Sequence, residues 1–148
     1  GLRKAISQVG MRSMAGSTEM PNTALGQRHL RSDLDKVVPK GRTIGVYALG
    51  YVDPSDDAFV VRYVGRSDSN DNGLNGRLHD HDGTKTDCTH FKFTVLASER
   101  EAYERESRIY HDFDPGLNEV HPALPNGVSY GCPVTSCQYA LKPKKTYP

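Results

Sequence analysis

The chain has 148 residues, enough for one ordinary domain with a modest core. Hydrophobic residues make up 36%, charged residues make up 25% and tryptophan is absent, so we expect a small core rich in tyrosine. No apolar run approaches the roughly 18 residues of a membrane span and no signal-peptide pattern is present, which argues against a membrane-spanning protein. Because the first residue is Gly1 and not methionine, we expect a fragment or processed form of a longer protein.

Charge is unevenly distributed, although the formal total is only +1. Residues 1–44 carry eight Lys and Arg against three Asp and Glu, residues 45–113 carry eight against thirteen, and residues 114–148 carry three against two. Proteins that bind nucleic acid unaided usually present a basic stripe, so the acidic middle segment argues against strong unaided binding. The basic segment before it, or a further domain, would have to supply phosphate contacts.

Residues 1–42 are rich in Gly, Ser and Met and have weak periodicity, which is typical of a linker or a partly ordered basic arm. Apolar residues recur at helical spacing from Leu30 to Val38. A short helix over Arg28–Val38 is therefore predicted within this arm.

A β-hairpin follows. Thr43–Tyr51 and Ala58–Arg66 are rich in Val, Ile, Tyr and Phe and are predicted strands. Asp53–Asp57 between them has strong turn chemistry. If the hairpin is symmetric about the middle of this turn, Tyr47 and Tyr63 face each other with Cβ atoms about 5 Å apart.

Two shorter elements come next. A polar loop over Ser67–Gly73 leads to a predicted helix over Leu74–Asp82. Arg77 and His81 are four residues apart in this helix, so they can act on the same patch. Alternating apolar residues over Phe91–Val95 predict a third strand.

The clearest predicted helix begins at Ser98, where Ser-Glu-Arg-Glu has the capping-box pattern, and ends near Phe113 before a Pro-Gly pair. Glu106 falls within its apolar stripe. A buried carboxylate costs several kcal/mol unless it is paired, so we expect an arginine or a divalent cation beside it. Residues 119–148 contain several prolines and end in a basic stretch, which predicts a wrapping tail of the same domain.

The three cysteines do not form an even disulfide set, and three interpretations stay open. Cys132 and Cys137 are close enough in sequence to form a disulfide. All three thiols can instead be unpaired and buried. A structural zinc site is the third interpretation, with a Cys-x-His element and a Cys-x₄-Cys loop supplying Cys88, His90, Cys132 and Cys137. No role is assigned to His79 or His111.

Five short elements occur in order over Gly45–Asn118, about half of the chain. They are Gly45-Val46-Tyr47, Tyr63-Val64-Gly65-Arg66, Leu-x-x-Arg-Leu-x-x-His at 74–81, Glu-Ala-x-x-x-Glu at 101–106 and Pro-x-x-Asn at 115–118. This order resembles the GIY-YIG nuclease family. The resemblance implies an α+β fold with a small three-stranded antiparallel sheet flanked by helices. The expected organisation is an arm (1–42), a nuclease module (43–118) and an irregular wrapping tail (119–148).

The resemblance also implies an activity, which is hydrolysis of DNA phosphodiester bonds with one divalent ion, Mg²⁺ or Mn²⁺. Glu106 would bind this metal. Tyr47 would position or deprotonate the attacking water, with Tyr63 as its neighbour. Tyrosine titrates near 10, so it can act as a base only if the metal and an arginine lower its pKa.

Four other residues have roles implied by the same resemblance. Arg77 would hold the scissile phosphate, because its planar fork donates two hydrogen bonds. Asn118 would brace the site from the end of the helix. Arg66 would contact backbone phosphate, and His81 would contact phosphate or act as a base. Each of these residue types also occurs as an ordinary surface or helix-end residue.

Three uses of such a module stay open. It can be the toxin domain of a larger secreted bacterial protein, which would act on the DNA of a target cell and bind a cognate immunity protein. It can be a site-specific nuclease of restriction, repair or a mobile element, with DNA recognition supplied by another part. It can also be a non-catalytic binding module on the same fold.

Overall fold

An antiparallel sheet organises the chain in the computed structural model, which describes residues 5–7, 10–12, 25–69 and 72–141, with side chains for 25–69 and 72–141. The spatial order of its six strands is β2-β1-β5-β4-β6-β3. The strands are β1 (Ala5–Ser7), β2 (Gly10–Arg12), β3 (His29–Leu30), β4 (Gly45–Asp53), β5 (Ala58–Ser67) and β6 (His90–Val95).

The predicted three-stranded sheet corresponds to β5, β4 and β6, but it is not the whole sheet. β3 adds a fourth strand with described side chains, since His29 pairs with Phe91. The backbone of β1 pairs with the other side of β5, opposite Phe59 and Val60, and β2 pairs with β1. These added strands have only two or three residues each, too few for an alternating pattern to be recognised in the sequence.

In the described part of the chain, three α-helices cover the sheet: α1 (Leu34–Val37), α2 (Gly73–His79) and α3 (Glu99–Phe113). The predicted N-cap of α3 is confirmed, because Ser98 Oγ accepts from the Glu101 backbone N–H at 3.2 Å. Where a longer helix was predicted over Arg28–Val38, the structure has β3, one 3₁₀ turn and the single turn of α1. None of the helices in the described ranges is long and apolar enough to cross a membrane.

The two faces of the sheet carry separate apolar clusters. α3 packs on one face, where Ala102, Ile109 and Phe113 meet Val46 and Val64. α1 and α2 pack on the other face, in a cluster formed by Leu34, Val38, Tyr47, Leu49, Leu74, Leu78, Cys88 and Phe91. The described end of the predicted arm therefore contributes Leu34 and Val38 to the core, while residues 1–4, 8–9 and 13–24 lie outside the described residues.

The hairpin register differs from the predicted one. Tyr47 lies opposite Gly65, and Tyr63 lies opposite Leu49. The pairs nearest the turn, such as Asp53 with Ala58, already differ from the predicted register by one residue, and a bulge beside Gly50, where the opposite strand carries one extra residue, adds a second. The two tyrosines still share a face, as diagonal neighbours with ring centroids 6.3 Å apart. Gly65 makes this possible, since a Cβ there would overlap the Tyr47 ring.

Candidate functional site

A cavity of about 580 Å³ lies beside the second half of β5, between α2, α3 and the first residues of the tail. Its walls come from four segments that are distant in sequence. Five residues singled out in the sequence line it together: Tyr63, Arg66, Arg77, Glu106 and Asn118.

Glu106 is held against the sheet by α3 and is only 7% exposed. Arg66 Nη1 donates to Glu106 Oε1 at 2.7 Å, which confirms that an arginine pairs with this buried carboxylate. Burial raises the pKa of Glu106 to about 7, although Arg66 acts in the opposite direction. Arg66 is also anchored by Asp68, at 2.9 Å from its Nε, and by the carbonyl of Ala123.

Charges of both signs line the cavity. Arg77 is one-third exposed, and its Nη1 donates to Asp80 at 3.1 Å. Lys85 Nζ lies 4.6 Å from the ring centroid of Tyr63. The lining thus contains three basic side chains and three carboxylates, namely Arg66, Arg77, Lys85, Asp68, Glu106 and Glu119.

Tyr47 is fully buried beneath this cavity, and its hydroxyl is 2.7 Å from His81 Nε2. Lys85 Nζ lies 3.2 Å from His81 Nδ1. An ammonium group can only donate, so Nδ1 accepts and the Nε2–H donates to Tyr47. Burial and the neighbouring Lys85 lower the pKa of His81 to about 4, which keeps the ring neutral at physiological pH.

The two tyrosines differ in access. Burial raises the pKa of both hydroxyls, and it does so far more strongly for Tyr47. Tyr63 is half-buried and lines the cavity, and Arg77 lowers its pKa against the effect of burial. Tyr63 is thus the tyrosine that a molecule in the cavity can reach.

Asn118 closes the cavity by pairing with the edge of β5. Its Oδ1 accepts from the Val64 N–H at 2.8 Å, and its Nδ2 donates to the Val64 carbonyl at 2.9 Å. The neighbouring Leu117 N–H donates to the Arg62 carbonyl at 2.8 Å. The segment after α3 therefore follows β5 like a short additional strand.

A second group of residues gathers where the tail meets the end of α3. Its donor atoms lie within 4.8 Å of one another, so they could hold a metal ion, and they come from His111, His121, Cys132 and Cys137. Of the four predicted zinc ligands, Cys132 and Cys137 belong to this cluster, whereas Cys88 and His90 do not. Cys132 and Cys137 are brought together as free thiols and not as a disulfide, but the other two members are histidines.

Cys88 and His90 are excluded from this cluster by the sheet. Cys88 belongs to the apolar cluster on the face covered by α1 and α2, whereas His111 lies on α3, across the sheet. His90 Nδ1 is instead 2.7 Å from Thr89 Oγ1. Sequence reasoning also missed Lys85, for which no motif provided a signal. A His-x₉-His-x₁₀-Cys-x₄-Cys spacing was the available signal for the cluster.

Comparison of the chain with protein-family models, with curated proteins and with solved structures found no match. The functional assignment below therefore depends on the geometry of the cavity and on the motifs that line it.

Proposed function

We propose that the chain is a divalent-metal-dependent endonuclease that hydrolyses DNA phosphodiester bonds in this cavity. The observation that carries the proposal is the meeting of a buried carboxylate, an arginine and a tyrosine in one cavity, namely Glu106, Arg77 and Tyr63. They come from α3, α2 and β5, and each belongs to a different motif of the resemblance.

The lining contains carboxylates, which could supply ligands to a hard cation. Asp68, Glu106 and Glu119 contribute carboxylates to one cavity, and carboxylate oxygens are the ligands that Mg²⁺ and Mn²⁺ prefer. Glu106 would hold the ion with the oxygen that Arg66 does not bind. A bound divalent ion would neutralise charge on the phosphate and acidify a coordinated water. It would also give net positive charge to a cavity in which basic and acidic side chains are otherwise equal in number.

The protein's own groups then have distinct tasks. Arg77 would bind a non-bridging phosphate oxygen, where its guanidinium stabilises the charge that develops in the transition state. Tyr63 would orient the attacking water as a neutral hydroxyl, because burial and the neighbouring Glu106 raise its pKa more than Arg77 lowers it. Arg66 is bound on three sides, so it would position Glu106 and contact DNA only secondarily. Asn118 would keep the cavity wall against β5.

The test is cleavage of supercoiled plasmid by the purified chain in Mg²⁺, in Mn²⁺ and in EDTA. We expect metal-dependent cleavage that falls at least about 100-fold in Glu106→Gln and in Arg77→Lys, the range seen when one transition-state contact is removed. Glu106→Gln keeps a hydrogen-bond acceptor for Arg66. Thermal unfolding of each variant establishes that it is folded.

A matched control is available on the exposed side of α3. Arg100 and Glu104 form an ion pair of 3.4 Å that lies outside the cavity lining. Arg100→Lys and Glu104→Gln should cut at the wild-type rate. Wild-type cleavage by Glu106→Gln, or equal cleavage in EDTA, would contradict the proposal. A smear of products would indicate non-specific cutting, and discrete fragments would indicate a site-specific nuclease.

A further inference from the structure

We propose that His111, His121, Cys132 and Cys137 bind one zinc ion that fastens the tail to the end of α3. Two imidazole nitrogens and two thiolates form a ligand set typical of structural zinc. The fold brings the four residues together, although the first and the last, His111 and Cys137, are 26 positions apart in the chain. This inference does not depend on the nuclease proposal.

Three of the six distances between donor atoms are close to those of a tetrahedral zinc site, and all six are within 4.8 Å. His111 Nε2 and His121 Nε2 are 3.2 Å apart. Cys132 Sγ is 3.4 Å from His111 Nε2, and Cys137 Sγ is 3.4 Å from His121 Nε2. Zinc bonds of about 2.0–2.1 Å to nitrogen and about 2.3 Å to sulfur give tetrahedral edges of about 3.4 Å for N···N and about 3.6 Å for N···S.

The surroundings orient these donors for an ion. His121 Nδ1 lies 2.9 Å from the Pro122 carbonyl, so it carries the proton and leaves the Nε2 lone pair toward the other ligands. The Cys137 sulfur accepts the backbone N–H of Tyr139 at 3.4 Å, which helps to fix it beside His121.

The tail needs a fastening of this kind. The described residues that follow α3, 114–141, contain no helix or strand. Beyond the contacts of Leu117 and Asn118 with β5 and of Ala123 with Arg66, their backbone hydrogen bonds are local, such as that from the Cys137 N–H to the Val134 carbonyl at 2.9 Å. Four protein ligands close the coordination sphere, so the ion would be structural and not catalytic. A cleft of about 580 Å³ beside His111, His121 and Cys137 gives the ion a way in.

The zinc ion would also support the wall of the cavity described above. His121 belongs to the metal cluster and also lines that cavity. The other residues from Leu117 to Ala123 line the cavity as well. Ala123 in turn accepts a hydrogen bond from Arg66. Loss of the ion would therefore release one wall of the cavity together with the tail.

The first measurement is the metal content of the purified wild-type chain by inductively coupled plasma mass spectrometry. We expect one zinc per chain, and loss of at least about nine-tenths of it in Cys132→Ser and His111→Gln. Cys88→Ala and His90→Gln are matched controls, because the same residue types lie outside the cluster. They should keep the zinc. Zinc contents that are the same in both pairs of variants would overturn the ligand assignment.

A second measurement on the wild-type chain covers the case in which a ligand variant does not fold. After zinc is exchanged for Co²⁺, tetrahedral N₂S₂ coordination predicts intense visible d–d bands and a thiolate-to-cobalt charge-transfer band. Removing the metal with a chelator should lower the Tm by roughly 10 °C or more, since the binding free energy contributes to folding. Failure to bind one equivalent of either metal, or a weak octahedral cobalt spectrum, would refute the site.

Discussion

Two tyrosines from two similar tripeptides have different environments, and this difference decides what each can do. Tyr47 has no exposed surface, and its hydroxyl accepts from a neutral histidine. Tyr63 reaches the cavity and lies beneath the Lys85 ammonium. The resemblance implies a role for both in the proposed reaction, but only Tyr63 is accessible to a molecule in the cavity, and Tyr47 lies buried beneath it.

Removing the two hydroxyls separately should therefore have opposite consequences. Tyr63→Phe should lower plasmid cleavage at least about tenfold and leave the free energy of unfolding nearly unchanged, because this hydroxyl faces the cavity. Tyr47→Phe should cost roughly 1–3 kcal/mol of stability, since it leaves the buried His81 donor without an acceptor. Urea unfolding and initial cleavage rates measure the two effects. The reverse pattern would show that Tyr47 is the reacting tyrosine.

The position of Glu106 in an apolar helical stripe predicted that an arginine or a cation would pair with it. That position did not indicate which arginine would do so. Both Arg66 and Arg77 line the same cavity, and the resemblance implies that each contacts a phosphate group. The structure gives Arg66 three partners and makes it 10% exposed, whereas Arg77 is 34% exposed. Such a division depends on tertiary distances, which no spacing in the sequence specifies.

Among the secondary-structure elements, the segment after α3 is the one whose role is least visible in the sequence. β1 pairs with β5 only near Phe59 and Val60, and farther along β5 its place is taken by Leu117 and Asn118. An uncovered strand edge is a site for unwanted pairing, and here the tail covers it. The side-chain amide of Asn118 forms the two hydrogen bonds with Val64 that the backbone of a neighbouring strand would otherwise form.

Asn118→Ala should thus detach the tail from β5. Two hydrogen bonds to Val64 would be lost and its polar groups left unpaired, so we expect a loss of about 1–3 kcal/mol in the free energy of unfolding. The exposed Asn126, in a turn of the same tail, is the control, and Asn126→Ala should stay within about 0.5 kcal/mol of wild type. Hydrogen exchange of the Val64 amide should accelerate only in the first variant.

Elements with strong local signals were predictable, and those defined by pairing were not. α3 has a cap, an apolar stripe and a stop, and the structure confirms it from Glu99 to Phe113. β4 and β5 were recognisable from their composition, but their register was not, because neither the centre of the turn nor the bulge beside Gly50 is specified by the sequence, although a glycine within a strand is a weak signal for a bulge. α1 was predicted too long, since its helical spacing continues into residues that form β3.

At the scale of the whole molecule, folding buries a histidine that must stay neutral. Its pKa is lowered from 6.5 to about 4, so the unfolded chain binds more protons between these values. The contribution of His81 to stability is therefore complete above pH 6.5 and is lost as the pH falls toward 4. One pKa unit corresponds to about 1.4 kcal/mol, which limits the effect to about 3 kcal/mol.

Comparing wild type with His81→Gln tests this dependence. The difference between their free energies of unfolding should shrink, or change sign in favour of the variant, as the pH falls from 7 to 4. His79 is the control, because Asp35 and Asp82 raise its pKa. Its contribution is present below pH 6.5 and is lost as the pH rises through the raised value, so His79→Gln should give the opposite slope. Parallel curves for wild type and His81→Gln would contradict the burial argument.

The two faces of the sheet explain why a ligand set could not be assembled from the sequence. Cys88 and Cys132 offer the same ligand type, but Cys88 lies on the face of the sheet covered by α1 and α2, whereas Cys132 lies beside His111 of α3 on the other face. His111 carried no motif, and only the fold brings it to the tail. The sequence therefore predicted that cysteine and histidine ligands could form a cluster, but the fold determines which of these residues meet.

The contact between Tyr47 and Gly65 gives the two tripeptides a meaning beyond chemistry. Because Gly65 of β5 has no side chain, the ring of Tyr47 on β4 occupies the space in front of it, and the two residues pack as a complementary pair. Neither position can change alone without a clash or a void. The Gly-Val-Tyr and Tyr-Val-Gly-Arg motifs therefore have a packing role that is independent of any catalytic one.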